Sequence, residues 1–277
     1  MYYNVSVNRD DALELIKYLR GLGIDVRTST KARGHQGFYL HNRIDISKNI
    51  APEREIPTIL HEFAHYIHSK IEPFMERSGG SLEIIFDDNN PNFYKNEIEK
   101  ITNTVDINSK CEKLLTHKGI IKDKILEQEK IIKSHYPQFQ RSKKFPELEK
   151  YIKKTNAKYL LKYDRVKIIS NGKSELLSIE NVEENFSQMP EEFLAYIRLR
   201  SFQRKQAKVS SRISRLKKYY SRPTELFARF VEGLYIKHDQ VKELAPNCYK
   251  RFFELLDAGY YREMFGIKEL LQAKNCK

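Results

Sequence analysis

Apolar residues return along this chain at two intervals, and the switches between them outline its elements. Leu13, Ile16 and Leu19, with Tyr18 close by, follow Asp10 and Asp11 at helical steps. The spacing predicts a helix capped by one of those aspartates, running to about Arg20 and ended by Gly21 and Gly23. Ile24 to Thr28 alternates and predicts a strand. Gly37 to Leu40 and Arg43 to Ile46 predict two more, joined as a hairpin at His41-Asn42. Beyond Pro52, the residues Ile56, Ile59, Leu60, Phe63, Ile67 and Ile71 draw the apolar side of a second helix, with Pro57 in its first turn or kinking it.

After Pro73 the pattern changes character. Ser78-Gly79-Gly80-Ser81 predicts a loop and Asp87-Asp88-Asn89-Asn90-Pro91 a turn. From about Phe93 to Ser134, Ile98, Ile101, Val105 and Leu115 lead to Gly119, after which Ile121, Ile125 and Ile132 resume, so a helical hairpin interrupted at Gly119 is expected. Pro146 opens a helix expected to reach about Tyr163. Val166 to Ser170 and Glu175 to Ile179 flank Asn171-Gly172, a type I′ hairpin signal. Pro190-Glu191-Glu192 starts a long helix carrying Phe202, Val209, Ile213, Leu216 and Tyr220, and Pro223 begins the next, with Leu226, Phe227, Phe230, Val231 and Leu234. Two helices near Gln240 to Leu256 and Arg262 to Ala273 close the chain. The fold class expected is α+β, mainly helical, with a small sheet and a second hairpin.

Composition narrows the setting. With 277 residues, 40% hydrophobic and 31% charged, the chain is long enough for a sizeable core and polar enough to keep it in water. It has no run of 18 apolar residues, so no membrane partner is expected. Its start, Met1 to Asp11, lacks the apolar stretch of a secretory signal. Cys111, Cys248 and Cys276 are odd in number and far apart, which suits a reducing compartment and makes the cytoplasm the expected address. The net charge of +13 is concentrated. Between Phe193 and Thr224 there is no acidic residue, while Arg198, Arg200, Arg204, Lys205, Lys208, Arg212, Arg215, Lys217, Lys218 and Arg222 fall there. This basic helix, 198–222, is either a solvated face or a docking surface for an acidic protein or nucleic acid.

The candidate chemistry lies in the second helix, as His61-Glu62-Phe63-Ala64-His65. Residues four apart share a helix face, so His61 and His65 can hold one metal ion between them. Glu62, turned by about 100° from His61, reaches a water beside that ion and suits the role of general base. A third protein ligand is required. A glycine three residues after His65 and a histidine three further on would complete a metzincin site, but His68 and Ile71 stand there. The ligand is therefore sought on another helix, where Glu97 or Glu99 competes with Glu225. Glu225 is favoured, because Pro223 places it in a first turn, where the helix dipole suits a carboxylate, and Ala228 permits close approach. Tyr219 and Tyr220 are candidate donors to a developing oxyanion, Tyr220 being taken as the catalytic one. His41 and His68 are candidates for outer positions.

The stretch His61 to Tyr66, with the hairpin strand Arg43-Ile44-Asp45-Ile46 and Glu53-Arg54 before it, resembles the ImmA/IrrE-type zincin-like metallopeptidases. Tyr219 to Glu232 is similar to the glutamate-bearing segment of related domains in phage, plasmid and mobile-element proteins. The resemblance implies a gluzincin fold, Zn2+, and hydrolysis of peptide bonds in a protein or peptide substrate, with a regulatory or phage-linked role. It carries over His61 and His65 as ligands, Glu62 as base and Glu225 as third ligand. With Glu225 as third ligand the expected division is 1–75, the first half of the core with the sheet and the motif helix; 76–189, a helical insertion with a hairpin near 166–179; and 190–277, the helices that complete the site. The competing expectation is a catalytically silent protein of the same fold, associated with nucleic acid through its basic helix.

Overall fold

A computed structural model describes residues 9–30, 35–74, 79–102, 105, 107–143, 145–170 and 173–272. It is mainly helical, with one three-stranded and one two-stranded sheet. The chain folds as two compact units. The first combines Met1–Ser109 with Lys217–Lys277, and the second is Lys110–Leu216. The chain thus leaves the first unit after its early helices and returns to it about a hundred residues later.

In the first unit, α1 (Arg9–Gly21) buries Ala12, Leu15, Ile16 and Leu19, whereas Leu13 is 59% exposed. The expected stripe through Leu13 is therefore rotated by one position, because Ala12 and Leu15 share the face of Ile16 and Leu19. Next come β1 (Asp25–Thr30), β2 (Gly37–Leu40) and β3 (Arg43–Ser47), in the order β1-β3-β2. β1 runs parallel to β3, and β2 pairs antiparallel with it through the turn at His41, whose φ is 53°. On β3, Ile44 and Ile46 point to the core and their neighbours are half-buried, the period-two pattern of a sheet covered on one face. β2 is an edge strand.

α2 (Glu55–Ile71) follows a short 3-10 turn at Pro52–Arg54, with Pro57 accommodated in its first turn, where no intrahelical donor is lost. It packs against β2, β3 and α9 (Pro223–Ile236). Between them in sequence come α3 (Leu82–Phe86) and α4 (Pro91–Thr102) of the first unit. α10 (His238–Leu244) and α11 (Pro246–Asp257) replace the single helix expected near Gln240 to Leu256, because Pro246 has no amide hydrogen to continue the ladder. The last segment is a 3-10 stretch, Arg262–Ile267, and a short α12 (Lys268–Gln272). Phe227 sits in the middle of this core, with Phe86, Phe252 and Tyr261 around its ring.

The segment expected to be a hairpin broken at Gly119 is instead one helix, α5 (Ile107–His135), which crosses Gly119 without interruption. An exposed glycine costs a helix only about 1 kcal/mol and does not end it. Its later apolar residues, Ile121, Ile125 and Ile132, belong to the second unit's core, while Ile98, Ile101 and Val105 belong to the first. The helix opened by Pro146 is short: α6 ends at Ile152, and a 3-10 turn covers Asn156–Tyr159. Thr155 makes the break, donating to Ile152 O at 2.9 Å and accepting from the Ala157 amide at 3.2 Å. β4 (Arg165–Ser170) and β5 (Lys173–Ser178) pair antiparallel, and the Asn171-Gly172 turn lies outside the described residues. A one-turn α7 (Val182–Asn185) leads to α8 (Glu191–Tyr220), which starts directly after Pro190. Asp164 ties this unit together: it accepts from Ser201 Oγ at 2.7 Å and from Arg204 at 2.6 Å, and these contacts outweigh burial and lower its pKa.

Candidate metal centre

α2 and α9 meet with their polar groups facing inward, which only a paired or ligating set can tolerate. His61, Glu62 and Glu225 are buried, and His65 nearly so. One ligand atom from each of His61, His65 and Glu225 lies within 4.8 Å of the others, a spacing that could hold a metal ion. His61 Nε2 is 3.6 Å from Glu225 Oε2, and His65 Nε2 is 3.4 Å from Glu225 Oε1. The two imidazoles stand edge to face with centroids 5.0 Å apart, as residues one helical turn apart can. Ala228, fully buried, keeps the two helices close.

Two features fit this group to a cation. Glu225 Oε2 is buried with no hydrogen-bond partner among the described residues, an arrangement that is costly unless something positive is shared there. The set itself, two imidazoles and one carboxylate, is the donor chemistry that suits zinc and its first-row neighbours.

The sequence did not reveal Glu232, a residue that completes the arrangement. Its carboxylate is 1% exposed and lies two turns beyond Glu225 on the same face of α9. His61 Nδ1 is 3.1 Å from Glu232 Oε2, so Nδ1–H bonded to that oxygen leaves Nε2 with its lone pair toward Glu225 and His65. Arg54 donates to Glu232 Oε1 at 2.7 Å and Arg229 to Oε2 at 2.8 Å. The i, i+7 spacing of Glu225 and Glu232 was the one available signal, and it needed an Arg from the turn before α2 to give it meaning.

The charges follow from these contacts. Burial alone would depress His61, but the Glu225 and Glu232 carboxylates outweigh it and raise its pKa to about 9. Burial governs His65 and lowers it to about 4. Glu225 is held down at about 2, because its two histidine neighbours overcome the penalty of burial. Glu232 is likewise lowered, by His61, Arg229 and Arg54 against its burial. Glu62 goes the other way: burial pushes it up to about 7, with the Glu225 charge adding to the rise and His61 and the Tyr39 amide opposing it.

The bond to the Tyr39 amide places Glu62 at the edge strand. Gly37 of the same strand has no room for a side chain, since a Cβ there would lie 2.8 Å from Glu62 Oε1 and 2.5 Å from Thr58 Cγ2. β2 therefore lies directly on the polar face of α2.

The remaining candidates are placed elsewhere or differently. Tyr219 is 40% exposed; burial, the Glu225 carboxylate and Glu62 raise its pKa well above the usual phenol value. The ring of Tyr220 lies against the Arg229 guanidinium, 5.7 Å from its centroid, and edge-on to Tyr219. Glu97 is occupied at the start of α11, where it accepts from the amides of Asn247 and Cys248 at 3.1 and 2.9 Å and from Asn247 Nδ2 at 2.6 Å. Glu99 faces solvent near Lys95. His68 is fully buried and its Nε2 pairs with Glu72 at 3.1 Å, under Gly80, whose φ of +78° and lack of Cβ its imidazole requires. His41 is exposed at the hairpin turn. Cys111 and Cys248 are free thiols, and Cys276 lies outside the described residues. Among the described residues no helix is long and apolar enough to cross a membrane. No known protein-family model, curated protein or solved structure matches this chain, so its assignment rests on the geometry of its own residues.

Proposed function

We propose that the first unit is a zinc-dependent metallopeptidase core of the gluzincin kind, with His61, His65 and Glu225 as ligands. The observation that carries the reading is the buried Glu62 carboxylate beside the His61, His65 and Glu225 group, its pKa raised to about 7. A base is most effective when its pKa lies near the working pH. When bound, zinc supplies a Lewis acid for the substrate carbonyl and a water acidified to about pKa 7.

The chain's own residues supply the rest. Glu62 takes the proton of the attacking water and returns it to the leaving amine nitrogen, so it must be a carboxylate at the start of the cycle and a carboxylic acid midway. Tyr219, kept protonated by its surroundings, donates to the oxygen that becomes negative. Glu232 fixes the His61 tautomer, and Arg54 and Arg229 fix Glu232. β2, an edge strand of the sheet, offers an extended peptide a partner for its backbone beside Glu62. That edge supports the reading of a protein or peptide substrate, the class that the ImmA/IrrE-type resemblance implies.

The test is Glu62→Gln, which keeps the shape and removes the base. Cleavage of an unfolded protein such as casein should fall by about 10²–10⁴-fold, while zinc content stays at one per chain. Full cleavage by the zinc-loaded variant overturns the mechanism. Zinc bound with no cleavage by either protein points to a silent fold retained for interaction.

A further inference from the structure

The second unit holds a groove that the chemistry of the first does not use. Two open depressions, of about 450 and 430 Å³, share Leu161, Lys162 and Arg200 and so adjoin beside α8. Lys153, Lys158, Lys162 and Arg200 line it together with Tyr159 and Tyr163.

Its charge is strongly one-sided. Glu149 is the acidic residue of the lining, and it is already engaged by Lys153 Nζ at 2.8 Å and by the Tyr196 hydroxyl at 3.0 Å. Arg204 is committed inward, to Asp164 and to the carbonyls of Leu160 and Leu161. Among the described residues, Lys158, Lys162 and Arg200 line the groove with no carboxylate within salt-bridge distance, and Arg200 donates to the neutral Gln203 Oε1 at 3.0 Å.

The aromatic residues decide what those charges meet. Tyr163 is 59% exposed and Tyr159 38%, with the Lys158 ammonium 5.0 Å above the Tyr159 ring. The largely exposed Tyr163 ring, with Tyr159 beside it under a lysine that a base could displace toward a phosphate, is the kind of platform that unpaired bases stack on, while the cations track the phosphates. A duplex hides its base faces in its own stack. An acidic peptide would satisfy the cations and leave both rings unused.

We infer that this groove binds single-stranded nucleic acid, with Lys158, Lys162 and Arg200 on phosphates and Tyr159 and Tyr163 stacked on bases. The inference stands independently of the metal centre.

The test uses the full chain and a fluorescein-labelled dT12, followed by fluorescence anisotropy. Binding should weaken with salt, with a slope of about −2 in log K against log salt for three phosphate contacts. Tyr159→Ala and Tyr163→Ala should each weaken binding roughly 5- to 100-fold, whereas Tyr163→Phe should keep it. Lys162→Glu with Arg200→Glu should abolish it, each variant retaining the wild-type circular dichroism and melting curve. No binding of dT12 at low salt overturns the proposal. So does binding that ignores the tyrosines and the charge reversals, tighter binding of a blunt duplex, or a polyglutamate peptide that displaces dT12 and is indifferent to both tyrosines.

Discussion

Replacing Glu232 by Gln separates the metal site from the protein around it. The carboxylate sits 1% exposed between Arg54, Arg229 and His61, at 2.7, 2.8 and 3.1 Å. Glutamine has the same shape but no charge, so two guanidinium groups lose their shared counter-ion in a buried position. Removing one partner of a buried pair costs about 3–5 kcal/mol, and glutamine's remaining acceptor places the expected loss near about 3 kcal/mol. Urea unfolding of the metal-free protein reads this loss. The second effect is on the ligand: without the anion at Nδ1, His61 is a weaker base and its tautomer is no longer fixed. Losing such a partner lowers metal affinity by about 10–100-fold. A competition titration against a zinc chelator measures it on folded protein. If Glu232→Gln binds zinc as tightly as wild type while the fold is intact, the role given to Glu232 is wrong.

Further outcomes follow from neighbouring groups. Tyr219→Phe should lower casein cleavage by about 10²–10³-fold with zinc content unchanged, and Tyr220→Phe should do far less; a reversal of that order would return the donor role to Tyr220. Zinc binding should release a proton below pH 9. The sign follows from His61, which is raised to about 9 and is cationic in the metal-free chain at neutral pH but must be neutral to ligate. Apparent affinity should therefore rise with pH between about 7 and 9 and level off above. Calorimetry in buffers of different ionisation heat checks this, and binding with no proton exchange at pH 7 would contradict it.

How much of this was legible in the sequence depended on range. His61 and His65 are four residues apart, so helix geometry alone puts them on one face, and Pro223 with Glu225 signals a helix start in the same local way. Proline also marks α6, α8 and α11, because its missing donor leaves only the ends of helices open to it. Local signals failed where tertiary packing decides. Gly119 looked like a break, yet α5 runs through it, since Cys111 and Leu114 before it pack on the same core as Ile121 and Ile125 after it. Leu13 looked buried, but α1 turns Ala12 and Leu15 inward instead. Pro223 and Ala228 favoured Glu225 over Glu97 without deciding between them. What separates them is the start of α11, which occupies Glu97 and lies 150 residues further along. Glu232 offered only its i, i+7 spacing from Glu225, and its partner Arg54 lies 178 residues away, too far for any periodicity to join them.

The central claim is that one ion is shared by His61, His65 and Glu225. It is tested most directly by zinc content, measured on purified wild type beside Glu225→Ala and Glu97→Ala. One zinc per wild-type chain, retained by Glu97→Ala and lost by Glu225→Ala while circular dichroism shows the fold intact, is the result this account predicts. A folded Glu225→Ala protein that keeps its zinc, or a wild type that never takes up a stoichiometric ion, would contradict it.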